Sequence, residues 1–128
     1  MKTMHKQVKY KDFEVDEKML PIIKLFNENG IETIYSCQGD ENSRPYVVIK
    51  SSDIAEAFVM TLLKTDFIYR NEKMKETNDN KYFVSEFEAI IDYQLGYYRY
   101  SIRCLNLDDM NFMFHIVLDI LKESKILV

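Results

Sequence analysis

The sequence predicts an α+β fold, a mostly antiparallel sheet of about five strands with three helices packed mainly on one face. Three observations lead there. Apolar residues recur at helical spacing over residues 19–26 and 110–121, and at a period of two over 31–36 and 97–105. The connections between extended stretches are short and polar, which favours hairpins and antiparallel pairing. The chain has 128 residues, 47% of them hydrophobic, so residues 1–128 read as a single domain that buries a core without staples.

The elements follow in order. Residues 1–11 carry Lys2, Lys6, Lys9 and Lys11 and read as an end that frays. Asp16 is placed to cap a helix with apolar positions Met19, Leu20, Ile22, Ile23, Leu25 and Phe26, Pro21 belongs in its first turn, and Asn29-Gly30 is its stop. Residues 31–36 alternate as a strand, 36–40 end in turn chemistry, and 46–49 form the second arm of a hairpin. Ser52 or Asp53 caps a second helix running through Leu63. Residues 67–70 read as a third strand, and the charged, Asn-rich stretch 72–81 as a mobile loop. Residues 82–93 and 97–105 are aromatic and β-branched strands turning at Gly96. In the second of these, Tyr98, Tyr100, Ile102 and Cys104 share one face, and Arg99, Ser101 and Arg103 the other. Asn106 to Asp109 open a last helix that buries Met110, Met113, Phe114, Val117, Ile120 and Leu121. The expected order is α-β-β-α-β-β-β-α.

A formal net charge of −4 argues against a broad basic surface for duplex nucleic acid, while leaving room for a local basic pocket. The N-terminus lacks the apolar run of a signal peptide, and no stretch approaches the roughly 18 apolar residues of a membrane span, so a cytoplasmic protein is expected. Cys37 and Cys104 are too few for a disulfide framework and read as free thiols, with a bridge between them left open.

Two features carry candidate chemistry. Residues 33–40, Thr-Ile-Tyr-Ser-Cys-Gln-Gly-Asp, run a strand into a polar turn where Ser36, Gln38 and Gly39 could contact a ligand, or simply close a hairpin. The arginines Arg44, Arg70, Arg99 and Arg103 all fall in or beside predicted strands. Arg99 and Arg103 share a sheet face with Tyr97, which suits phosphate pairing beside a stacking ring, or a solvated face paired to Glu86 and Glu88. Tyr93, Tyr97, Tyr98 and Tyr100 are dense enough for a subunit contact. No Cys/His set has zinc spacing, His5 lies in the fraying end, and His115 sits mid-helix. No catalytic residue, metal ligand or cofactor is assigned.

Residues 27–40, Asn-Glu-Asn-Gly-Ile-Glu-Thr-Ile-Tyr-Ser-Cys-Gln-Gly-Asp, with the helix before them and the strand 46–49 after, resemble a group of short proteins from phages and prophages of low-GC Gram-positive bacteria. A fainter similarity is to the wybutosine-synthesis methyltransferase family, whose Ser-Cys-Ser-Gly-Arg run is matched at Ser36, Cys37 and Gly39 but not at Gln38 or Asp40. The first resemblance supplies a setting, the cytoplasm of a bacterial host, and phages of such hosts make small proteins that neutralise host defences. The expectation is a non-enzymatic, homo-oligomeric protein that sequesters a nucleotide-like anionic signal. Arg99 and Arg103 would take phosphate, Tyr97 a base, and Ser36, Gln38 and Gly39 the ligand's edge, with Arg44 and Arg70 in reserve. The alternatives are an inhibitor binding a host defence protein, and a small transferase using S-adenosylmethionine, as the second resemblance implies.

Overall fold

A computed structural model describes the backbone of residues 5–40, 42–76, 87–94 and 96–124, and the side chains of these except 69–76 and 94. The chain is α+β: the described residues form three α-helices and six strands in two antiparallel sheets, where the sequence suggested about five strands in one.

The extra strands lie at the start. Residues read as a fraying end form β1 (Gln7–Tyr10), which pairs with β2 (Phe13–Asp16) in register from Gln7–Asp16 to Tyr10–Phe13. The turn is made by Lys11 and Asp12, with Lys11 at φ 56°. Val8 and Tyr10 pack against the core, which is what holds a two-stranded ribbon that would be marginal alone.

A short 3-10 turn, Glu17–Met19, leads into α1 (Leu20–Glu28) with Pro21 in the first turn. Asp16 makes no capping hydrogen bond, contrary to its expected role. The helix stops as Asn29-Gly30 predicts. Gly30 adopts φ 80°, its N–H reaches Asn27 O at 3.2 Å, and Ile31 N–H reaches Phe26 O at 2.9 Å, the paired bonds of a Schellman stop sealed by buried Ile31.

The larger sheet has the order β3-β4-β6-β5, built from β3 (Thr33–Cys37), β4 (Tyr46–Lys50), β5 (Glu88–Gln94) and β6 (Tyr97–Arg103). Helix α2 (Asp53–Glu76) starts where Ser52 Oγ accepts from Ala55 N–H at 3.1 Å. It runs on through residues 67–70, which are therefore helix and not a third strand, and takes in 72–76 of the expected mobile loop. Residues 77–86, the rest of that loop and the start of the strand expected over 82–93, lie outside the described residues. Helix α3 (Leu107–Glu123) is capped reciprocally: Asn106 Oδ1 accepts from Asp109 N–H at 2.8 Å, and its Nδ2 donates to Asp109 Oδ2 at 3.1 Å. Its buried face is the expected one except that Ile120 is half-exposed and Leu118 takes the interior position.

Each helix supplies one ring to the centre of the core. Phe26, Phe58 and Phe114 meet pairwise with centroids 5.0, 5.1 and 5.2 Å apart, all tilted or edge-on as ring quadrupoles favour. The sheet meets them with Val47, Ile49 and Ile102, all fully buried. Among the described residues no helix is long and apolar enough to cross a membrane.

Candidate functional site

Residues paired in register point to the same side of an antiparallel sheet, so the pairing assigns each face. Val47, Ile49 and Ile102 face the helices. The opposite face carries three rows: Cys37, Tyr46, Arg103 and Glu88; then Tyr35, Val48, Ser101 and Ile90; then Lys50, Arg99 and Asp92. Tyr97 follows at the end of β6.

Arg99 and Arg103 thus share this face, as their spacing predicts. Four residue steps along β6 separate them by about 13 Å. Arg99 is held in place. Its Nε donates to Asp92 Oδ1 at 2.6 Å and its Nη2 to Asp92 Oδ2 at 3.4 Å, and the guanidinium carbon lies 5.9 Å from the Tyr35 ring centroid. The Asp92 bond, opposed by desolvation, raises the Arg99 pKa still further. Lys50 Nζ lies 5.1 Å from the Tyr97 ring centroid and 4.0 Å from Glu32 Oε2. Arg103 is exposed opposite Glu88. Val48 points to this face and is still buried, so the larger side chains around it already shelter apolar surface.

Cross-strand carboxylates therefore do accompany the cations, with Asp92 the partner of Arg99 and Glu88 opposite Arg103. Glu86, also expected there, lies outside the described residues. Tyr35 and Lys50 belong to the same surface and were not singled out by sequence. Their signal was alternation, which puts Tyr35 on the Val48 side and Lys50 beside Arg99.

The segment 36–40 is bound into the protein's own framework. Gly39 has φ 76°, and a Cβ there would lie 2.7 Å from Pro45 N and 2.8 Å from Ser43 O, so the close approach its lack of side chain permits is made by the loop's own backbone. Gln38 N–H donates to Asp16 Oδ2 at 2.9 Å, and its Oε1 accepts from Lys18 N–H at 3.3 Å. Asp40 Oδ1 accepts from Asn42 N–H at 2.7 Å, from Ser43 N–H at 3.0 Å and from Ser43 Oγ at 3.2 Å. The Asn42 bond leads in holding that carboxyl below its usual range. Arg44 is exposed and lines a shallow hollow of about 250 Å³ with Asp40, Asn42, Ser43 and Leu105. Arg70 belongs to α2, and its side chain lies outside the described residues. The eight predicted residues are thus not brought to one point: Tyr97 and Arg99 lie at one end of β6, Arg103 at the other, Arg44 with Gln38 and Gly39 on the β3–β4 connection, and Ser36 within β3 opposite Val47, on the helix side of the sheet.

A second centre was passed over by sequence reasoning. Asp16, nearly buried at the end of β2, accepts from Gln38 N–H, from Gln7 Nε2 and, at 3.1 Å, pairs with His5 Nδ1. Burial disfavours its ionised form, but the Gln38 amide, His5 and Gln7 together outweigh that and hold the carboxyl below its usual range. Cys37 completes the group: His5, Asp16 and Cys37 each present one donor atom, all within 4.8 Å of one another. Among the described residues, His5 Nε2 is buried without a hydrogen-bond partner. A cleft of about 130 Å³ between the hairpin and β3 opens alongside, bordered by Gln7, Asp16, Ile23, Tyr35 and Ser36. Both cysteines are free; burial pushes the Cys104 thiol up to about 12, and its Sγ donates to Asn106 O at 3.1 Å.

Comparison with family models, with curated proteins and with solved structures finds no match to this chain.

Proposed function

We propose that the protein is a non-enzymatic binder of a nucleotide-like anion, taken up along the helix-free face of the larger sheet. The observation that carries this is the pair of cations held over tyrosine rings on that face, Arg99 by Tyr35 and Lys50 by Tyr97. Every base offers a π-face, and stacking on an aromatic ring contributes about 1–3 kcal/mol per base. A base that stacks on Tyr97 displaces the Lys50 ammonium from the ring, and the ammonium then meets phosphate. The roughly 13 Å between Arg99 and Arg103 exceeds what one phosphate bridges, which favours a dinucleotide or a short single strand over a mononucleotide. Asp92 and Glu32 compete for the same cations, so binding trades internal ion pairs for phosphate contacts. In the bacterial setting that the segment 27–40 suggests, capture of such a signal would counter a host defence.

The test is titration of the protein with mono-, di- and short single-stranded oligonucleotides. It can be followed by tyrosine fluorescence, since the chain has no tryptophan. Arg99→Ala with Arg103→Ala should weaken binding by at least about tenfold and lower the salt slope by about 1.4, the value for two lost single-strand phosphate contacts. A double variant that binds as tightly as the parent, with the same salt slope, refutes the assignment.

A second reading, a protein partner or a second copy of this chain, is favoured by a different patch. Ile91, Tyr93 and Tyr98 point to the helix side of the sheet yet are 57%, 60% and 56% exposed, with the two tyrosine rings edge-on at 5.0 Å. Changing Tyr93 and Tyr98 to Ser should then shift the sedimentation profile or release a captured partner, while nucleotide binding stays unchanged.

A further inference from the structure

We infer that His5, Asp16 and Cys37 form a binding site for a thiophilic divalent cation of the zinc class. It does not rest on the proposed anion binding, although Cys37 lies on the same sheet face. Each residue comes from a different part of the fold: His5 precedes β1, Asp16 ends β2, and Cys37 ends β3. The hairpin therefore assembles the site by packing beside the edge of the larger sheet.

The geometry fits a tetrahedral ion. Donors bound to zinc at about 2.0–2.3 Å sit about 3.3–3.6 Å apart. The His5 Nδ1 to Asp16 Oδ2 separation is 3.1 Å, and the thiol lies within 4.8 Å of both donors. A cation drawn between the three replaces the His–Asp hydrogen bond and brings the sulfur inward. An imidazole, a carboxylate and a thiolate supply two negative charges, which neutralise a dication. The thiolate selects against magnesium and calcium, which take oxygen ligands. Three protein donors leave a fourth position for water, the composition of an open zinc site rather than a closed structural one, and Asp16 also borders the neighbouring cleft.

Two further observations support this. His5 Nε2, the ring nitrogen left over when Nδ1 takes the ion, is buried with no hydrogen-bond partner among the described residues, a place for the outer water that metal-ligating histidines commonly bind. Asp16 is also oriented from behind. The Gln38 amide and Gln7 fix its carboxylate, as outer partners do for metal-ligating groups.

The experiment uses the full chain stripped with a chelator and titrated with Co²⁺, a spectroscopic substitute for Zn²⁺. One Co²⁺ per chain should bind with a thiolate-to-cobalt charge-transfer band, which added Zn²⁺ abolishes. Cys37→Ser should remove the band. His5→Ala should weaken Co²⁺ binding by more than about 100-fold, beyond the loss typical of an outer partner. Cys104→Ser should leave both unchanged, since that thiol is buried on the core side. A wild-type protein with no band at saturating Co²⁺ overturns the proposal without recourse to any variant. So does a band that survives Cys37→Ser, a band lost in Cys104→Ser, or an unaltered affinity in His5→Ala.

Discussion

Asp16→Ala should be among the most damaging single polar substitutions in the chain. The carboxylate takes a backbone N–H from the β3–β4 connection and pairs with His5, with Gln7 as a third partner. Two charge-assisted bonds at about 1.5 kcal/mol each give a loss of about 3 kcal/mol, because the half-buried Gln38 amide is left without its acceptor. With a urea slope of about 1.5 kcal/mol/M this moves the midpoint down by about 2 M. Asp16→Asn keeps an acceptor in the same place and should lose only about half as much. The charge makes a further demand. The folded-state pKa lies below the unfolded one, so the ionised carboxylate contributes its stability fully above the unfolded value of about 3.9, and that contribution disappears as pH falls through the folded value. Urea melts between pH 7 and pH 3, in chelator to remove any metal, should show the parent losing this increment on acidification and Asp16→Asn not losing it. A midpoint shift under about 0.5 M for Asp16→Ala, or identical pH profiles for the parent and Asp16→Asn, would refute this account of the site.

Other outcomes follow from the same coordinates. Gly39→Ala should cost about 2–4 kcal/mol in urea unfolding, since it adds left-handed strain to a Cβ only 2.7 Å from backbone. Phe114→Ala should cost about 3–5 kcal/mol by the same measurement, and Phe114→Leu distinctly less, because that ring touches Phe26, Phe58 and Phe87. Iodoacetamide at pH 8 should modify one thiol in the native chain, Cys37. Cys104, with its pKa near 12, should react only after unfolding, as peptide mass spectrometry would record. Asp92→Asn should tighten nucleotide binding several-fold by freeing Arg99 from its internal partner, and an unchanged or weakened titration would contradict the competition described above.

Helices α1 and α3, and α2 as far as Leu63, were legible because each carries an apolar face and a recognisable start or stop, as with Asn106 before α3 and Asn29-Gly30 after α1. Residues 67–70 misled because Phe-Ile-Tyr is strand-like by propensity, yet no Gly or Pro interrupts the helix that begins at Asp53, and continuation of an existing helix outweighs local preference. The N-terminal hairpin had a signal, Val8 and Tyr10 alternating before a Lys-Asp turn and Phe13 and Val15 after it, which the lysines obscured. On the sheet, period-two alternation was enough to place Arg99 and Arg103 together, but not to reveal Asp92 as the partner, which depends on strand register. The His5, Asp16 and Cys37 cluster left no trace in sequence. Its members belong to no spacing motif, and Asp16 stood before an apolar run where a helix cap is the ordinary reading.

The three phenylalanines at the core have a kinetic consequence. They come from helices spread over most of the chain, each behind its own β-hairpin, so no two neighbouring units can complete the ring cluster without the third. Closing those long intervening segments must precede the gain from ring contact. Folding should therefore be limited by the arrival of α3, and native hydrogen exchange should release the inner amides of all three helices together, as one cooperative unit rather than hairpin by hairpin.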